Sequence, residues 1–174
     1  MCKLYVIGTT QTKSRNATYG YVIVDEQTSI IYSKSNEISK TGGQVTKIRA
    51  TTIAINEGLR EVINKGYEFV EIITCEDFFK EMFKYGYLDL WERNGWKRSK
   101  KKKKLKNIDL NKDLLKLSKK INIFVMSIGF NKINDLENEM TKFKNISMGV
   151  KRYKKKGLSR SFKSAKRNRS NTQV

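Results

Sequence analysis

The chain has 174 residues, 38% apolar and 31% charged, with a formal net charge of +20. That length suits one domain with an appendage, and a charge of that size points to a polyanionic partner. Two cysteines without metal-ligand spacing and no histidine argue against a disulfide framework and remove the commonest general base and metal ligand.

In chain order, Lys3–Thr10 is apolar and β-branched enough for a buried strand. Thr18–Lys34 reads as two strands around a turn at Asp25-Glu26-Gln27, with Tyr19, Tyr21 and Ile23 on one face and Gly20, Val22 and Val24 on the other. A loop broken by Gly42-Gly43 leads to a helix over Thr46–Ile63, where Ile48, Thr52, Ile55, Leu59 and Ile63 share a face, and Gly66 stops it. Glu68–Cys75 is a fourth strand, central and parallel to the first because a helix crosses over before it. Glu76–Glu92 reads as one helix with Phe78, Phe79, Met82, Phe83 and Leu88 for packing. Asn107 is placed to cap a helix starting near Asp109, whose charge suits a helix N-terminus, with Leu110, Leu114, Leu115 and Leu117 as its apolar side. Ile121–Phe130 is a fifth strand and Asn134–Lys144 a last helix. The order is β-β-β-α-β-α-β-α, an α/β fold.

The charge excess is concentrated in two blocks. Lys97–Lys106 holds eight basic residues and Lys151–Arg169 ten, with no acid in either; removing those 18 leaves 19 Lys+Arg against 17 Asp+Glu. The expected layout is a domain over 1–148, with a basic protrusion at about 91–109, and a disordered basic tail over 149–174. Met1-Cys2-Lys3 leads straight into a strand pattern with no secretory signal, and no apolar run approaches the roughly 20 residues of a spanning helix. The expectation is an intracellular protein of the cytoplasm, an organelle matrix or a virus-infected cell, neither secreted nor bound to a membrane.

Trp91 and Trp96 are the only tryptophans and stand directly before the first basic block. They read either as core of the helical layer or as aromatic faces anchoring a self-repelling loop and packing on sugars or bases. Leu90–Leu117, LWERNGWKRSKKKKKLKNIDLNKDLLKL, resembles the basic protrusion of type 1 ribonuclease H. Trp91 lies on the helix, Trp96 follows Gly95, the lysine loop comes next, and Lys106-Asn107-Ile108-Asp109-Leu110 starts the following helix. The likeness extends over about residues 3–145, through GYVIV, RATTIAINEGL, IITCEDFF and NEMTK. It implies a ribonuclease H-like, five-stranded mixed sheet flanked by helices, and a protrusion that holds the DNA strand of an RNA–DNA hybrid.

The family's chemistry is two-metal hydrolysis, with four carboxylates holding two magnesium ions about 4 Å apart. Following the resemblance, those four places fall on Gly8, Thr51, Cys75 and Lys142. None is acidic, and a lysine in the pocket opposes a divalent cation. The expectation is therefore a degenerate member: not an enzyme, with no catalytic residue, metal or cofactor. It binds nucleic acid, either structured RNA or an RNA–DNA hybrid, as part of a larger ribonucleoprotein or protein complex. The expected contacts in the protrusion are Trp91, Trp96, Lys97, Arg98, Lys100, Lys101, Lys102, Lys103, Lys104, Lys106 and Asn107. In the tail they are Lys151, Arg152, Lys154, Lys155, Lys156, Arg160, Arg167 and Arg169, with Asn16, Gln44 and Arg49 as further surface candidates beside the cleft. Two alternatives stand beside it. One is an active magnesium-dependent ribonuclease H with relocated ligands, drawn from Glu76, Asp77, Asp135, Glu137 or Glu139; the other is a protein–protein module for a polymerase or nuclease.

Overall fold

The computed structural model describes residues 2–10, 17–25, 29–38, 45–97, 105–129, 132 and 134–141. The strands β1 (Cys2–Thr10), β2 (Ala17–Asp25) and β3 (Ser29–Ile38) form an antiparallel meander, followed by α1 (Lys47–Asn64) and β4 (Phe69–Thr74). Helices α2 (Asp77–Lys84), α3 (Tyr87–Arg93) and α4 (Ile108–Ser118) lead to β5 (Asn122–Ser127), and residues 134–141 form a further helix, α5. The sheet order is β3-β2-β1-β4-β5, with β4 parallel to both β1 and β5. The expected α/β architecture of one mixed five-stranded sheet flanked by helices is thus present.

Strand alternation divides the sheet into two faces. Cys2, Leu4 and Val6 of β1, Tyr19, Tyr21 and Ile23 of β2, and Val70 and Ile72 of β4 are buried in the main core with α1, α2 and α4. On the other face Val22, Ile73 and Cys75 are covered by Leu136 and Met140 of α5. The forecast α1 face is right at its centre, where Thr52, Ile55 and Leu59 are buried, but Ile48 and Ile63 at its ends are only partly so. Asn56 is buried as well. Its Nδ2 donates to the Leu110 carbonyl at 3.0 Å and to Asp113 Oδ2 at 2.9 Å, tying α1 to α4.

Two sequence expectations change. The Glu76–Glu92 helix is two helices, because Gly86 adopts φ 62° between α2 and α3, a left-handed conformation that glycine reaches without a Cβ clash. Asn107 does stand at the start of α4, but it too is left-handed, at φ 56°, and its side chain caps nothing. Among the described residues no helix is long and apolar enough to cross a membrane.

Candidate nucleic-acid interface

The base of the protrusion is built from α1, α3 and α4. Thr46 caps α1 by accepting from the Arg49 amide at 3.2 Å, which fixes the helix's first turn. From that turn the Arg49 guanidinium reaches α4, donating from Nη1 to Asp109 Oδ1 at 3.1 Å and from Nη2 to Asp109 Oδ2 at 2.7 Å. Nη1 also donates to Asn107 Oδ1 at 3.3 Å. This fork is the geometry that a planar guanidinium offers a carboxylate. The hydrogen bond from Arg49 holds the Asp109 carboxyl below its ordinary range, and the same bond pushes the Arg49 pKa up.

Trp91 lies in a row of rings. Its centroid is 6.4 Å from Phe78, nearly parallel at 18°, and 6.0 Å from Tyr87, which itself lies 5.8 Å from Tyr85. Trp91 is half-buried against the main core and serves first as packing for α2 and α3. Trp96 takes φ 62°, a conformation uncommon for a bulky residue. Its amide donates to the Trp91 carbonyl at 2.7 Å, its carbonyl accepts from the Leu105 amide at 3.3 Å, and Lys112 Nζ stands 5.8 Å from its ring centroid. The two ends of the basic loop are thereby joined. Lys97 and Lys106 flank it and are exposed, and Asn107 is half-buried. Arg98, Lys100, Lys101, Lys102, Lys103 and Lys104 lie outside the described residues, as do Asn16, Gln44, Lys142 and every named cation from Lys151 to Arg169.

The structure brings together three of the four places where the resemblance expects carboxylates. A Cβ on Gly8 would lie 2.5 Å from both the amide nitrogen and Oγ1 of Thr51, so α1 packs directly on β1 there. Thr51 is fully buried, and its hydroxyl donates to the Lys47 carbonyl at 3.1 Å. Cys75 follows β4, the parallel neighbour of β1, and is buried. Burial pushes its thiol pKa up; Lys47 opposes the rise, while Glu76, Glu137 and Asp135 add to it. Gly8, Thr51 and Cys75 supply no hard anionic oxygen, and among the described residues no group of three or more Cys, Asp or Glu is arranged to hold a metal ion. These residues do not fit a magnesium pair held as the resemblance arranges it.

Sequence reasoning missed two features here. Lys47 Nζ lies 2.6 Å from Glu76 Oε1, joining the first residue of α1 to the residue before α2. Arg49 is a clamp on Asp109 and Asn107 rather than simply a surface contact. Both pairs are far apart in sequence, and no local pattern signals either.

No family model matches the chain. A ribonuclease H of Syntrophomonas wolfei is 32% identical over 92 residues, 53% of this chain and 62% of that protein, so the match spans less than two thirds of the relative. Among solved structures, the RNase H domain of prototype foamy virus has a TM-score of 0.62 at 21% identity, over 83% of this chain and 94% of that one. LC11-RNase H1, solved in complex with an RNA/DNA hybrid, has a TM-score of 0.56 at 17% identity, over 76% of this chain and 88% of that one. RNase H1 of the archaeon Halobacterium salinarum gives 0.52 at 14%, over 75% and 87%. These findings correct the expectation that the chain is not an enzyme, because the kinship points to a family of nucleases. The inference of inactivity rested on the residue types at four places alone. The likeness to these solved structures gives the chain a ribonuclease H-like fold.

Proposed function

We propose that the chain binds RNA–DNA hybrids along the edge formed by α1, the protrusion and α4. The observation that carries this reading is the Arg49 fork, which fixes the root of an eight-cation segment against the domain at Asp109 and Asn107. Joining the loop ends through Trp96 and Leu105 serves the same purpose, since a positioned row of cations meets a phosphate backbone at lower ordering cost than a free one. The hybrid held by LC11-RNase H1, a structure of like fold, supports the choice of ligand. The tail cations from Lys151 to Arg169 add phosphate contacts, and a ribonucleoprotein is the setting that suits such a chain.

The test is a salt titration of affinity for hybrid, double-stranded DNA and double-stranded RNA. Log affinity should fall linearly with log salt, by about 0.9 per duplex phosphate neutralised, with the hybrid bound most tightly. Equal affinity for all three duplexes, or none for the hybrid, would count against the reading. Hydrolysis of the bound RNA is a second reading, favoured by the Syntrophomonas relative being a ribonuclease H. The same mixtures in millimolar magnesium, run on a denaturing gel, report it directly.

A further inference from the structure

The two edges of the sheet are unlike. Strand β3 ends it on one side and carries the exposed Glu37, a charge of the kind that keeps an edge from pairing with another chain. Strand β5 ends it on the other side and reads NIFVMS, with neither charge nor proline. Its amides turn toward β4 at every second residue, since Asn122 donates to the Glu68 carbonyl and Ile128 to the Thr74 carbonyl, both at 3.0 Å. The amides of Ile123 and Val125 therefore point out from the sheet, and among the described residues no strand meets them.

The same period sends Phe124 and Met126 to the face away from α1 and α4, because Ile123 and Val125 pack into the main core. Helix α5 covers that face only in part. Phe124 remains 64% exposed, Met126 41%, and Phe69 of the adjoining β4 57%. Beside Met126 runs a groove of about 310 Å³ with Ile73, Met126 and Ile128 on its floor and Asp135, Glu139 and Lys132 at its rim. The two acids stand one turn apart on α5, both exposed, and neither has an ion pair among the described residues. Like charges at that spacing weaken a helix, and a cation in the groove would offset them.

We infer that the β5 edge takes an extended segment of a partner protein as a sixth strand, apolar at alternate positions and basic where it passes Asp135 and Glu139. The outward amides supply the ladder, and Phe124 and Met126 supply the apolar contacts. Two carboxylates against one ammonium make the groove locally acidic on a chain of net charge +20, a sign that suits a basic segment and repels nucleic acid. The chain's own segments fit less well. Within Lys151–Arg169 no two apolar residues stand two apart, as contacts along one side of a strand require, and a second β5 brings no cation to the acids. The groove lies across the sheet from α1 and α4, so the inference does not depend on hybrid binding, and both ligands can be held at once.

The experiment titrates short peptides into the 15N-labelled full chain and follows its amide resonances. The probe alternates valine with threonine and carries two lysines at either end; a control carries glutamates in their place. Two further peptides are N-methylated, one on its valine amides and one on its threonine amides. The lysine peptide should bind at least about tenfold more tightly than the glutamate peptide, with shifts centred on Ile123 and Val125. One N-methylated peptide should lose binding and the other keep it, because only alternate amides of an added strand face β5. Phe124→Lys should weaken binding by about tenfold, and Asp135→Asn combined with Glu139→Gln should remove the preference for lysine. Thermal melts show whether the variants are folded, and if Phe124→Lys is not, the N-methylated peptides decide. No binding by the lysine peptide, equal binding of the lysine and glutamate peptides, or shifts away from β5 would overturn the inference. So would a dimer in sedimentation that Phe124→Lys dissolves, which makes a second copy the occupant. Peptide binding that appears only once Lys151–Val174 is deleted would overturn it too, since the chain's own tail would then fill the groove.

Discussion

Replacing Arg49 by Leu removes three donated hydrogen bonds, two to Asp109 and one to Asn107. The Asp109 side chain is 59% exposed and that of Arg49 35%, so solvent screens the pair, and such ion pairs contribute about 0.2–1 kcal/mol with forked geometry at the upper end. The bond to Asn107 adds about 0.5 kcal/mol net. The variant should lose about 1.5 kcal/mol, which at this chain length lowers Tm by about 3–6 °C. A double-mutant cycle with Asp109→Ala, followed by urea unfolding, isolates the pair and should give a coupling of about 1 kcal/mol at pH 7. Because Arg49 depresses the Asp109 carboxyl in the folded state, the stabilisation is present above the unfolded value of about 3.9 and is lost as pH falls through the lower folded value. The coupling should therefore vanish in acid and shrink in high salt. Hybrid affinity should also fall in Arg49→Leu, with the salt slope unchanged, since a clamp positions the cations and neutralises no phosphate itself. A coupling near zero at pH 7, one that persists in acid, or a slope reduced by a full phosphate would each refute this account.

Other consequences can be measured with standard assays. Serine at Lys100, Lys101, Lys102, Lys103 and Lys104 should flatten the salt dependence of binding and weaken all sequences alike; an unchanged slope would mean that the loop is a solvated run of charge. Gly8→Ala should cost about 1–3 kcal/mol in chemical denaturation, because its Cβ meets Thr51 backbone as well as side chain, and a neutral outcome would show that α1 can retreat from β1. Deleting Lys151–Val174 should leave Tm nearly untouched and lower affinity by an amount that shrinks at high salt; a large drop in Tm would mean that Tyr153, Leu158 and Phe162 dock on the domain.

Elements whose burial is periodic were legible in the sequence. Cys2, Leu4 and Val6 alternate with half-buried Lys3, Tyr5 and Ile7, and that period of two suffices to find β1. The division of Glu76–Glu92 was not legible, because Phe79, Met82 and Leu88 keep an apolar pattern across the break and only the backbone at Gly86 marks it. The site was legible in composition but not in wiring. Lysine density announces a polyanion partner from the sequence alone. The Lys47–Glu76 and Arg49–Asp109 pairs join residues 29 and 60 positions apart, and such contacts become visible only when the crossover of α1 brings the ends of separate elements together.

The tie between Trp96 and Leu105 separates what the loop contains from what the domain needs. With its ends pinned, the intervening segment can be lengthened, shortened or rewritten at small thermodynamic expense, since doubling a closed loop costs only about 0.6 kcal/mol. The protrusion is in that sense an exchangeable cassette. A chain could be retuned toward a weaker or a stronger polyanion by editing cations between two fixed posts, with neither the sheet nor the helices registering the change.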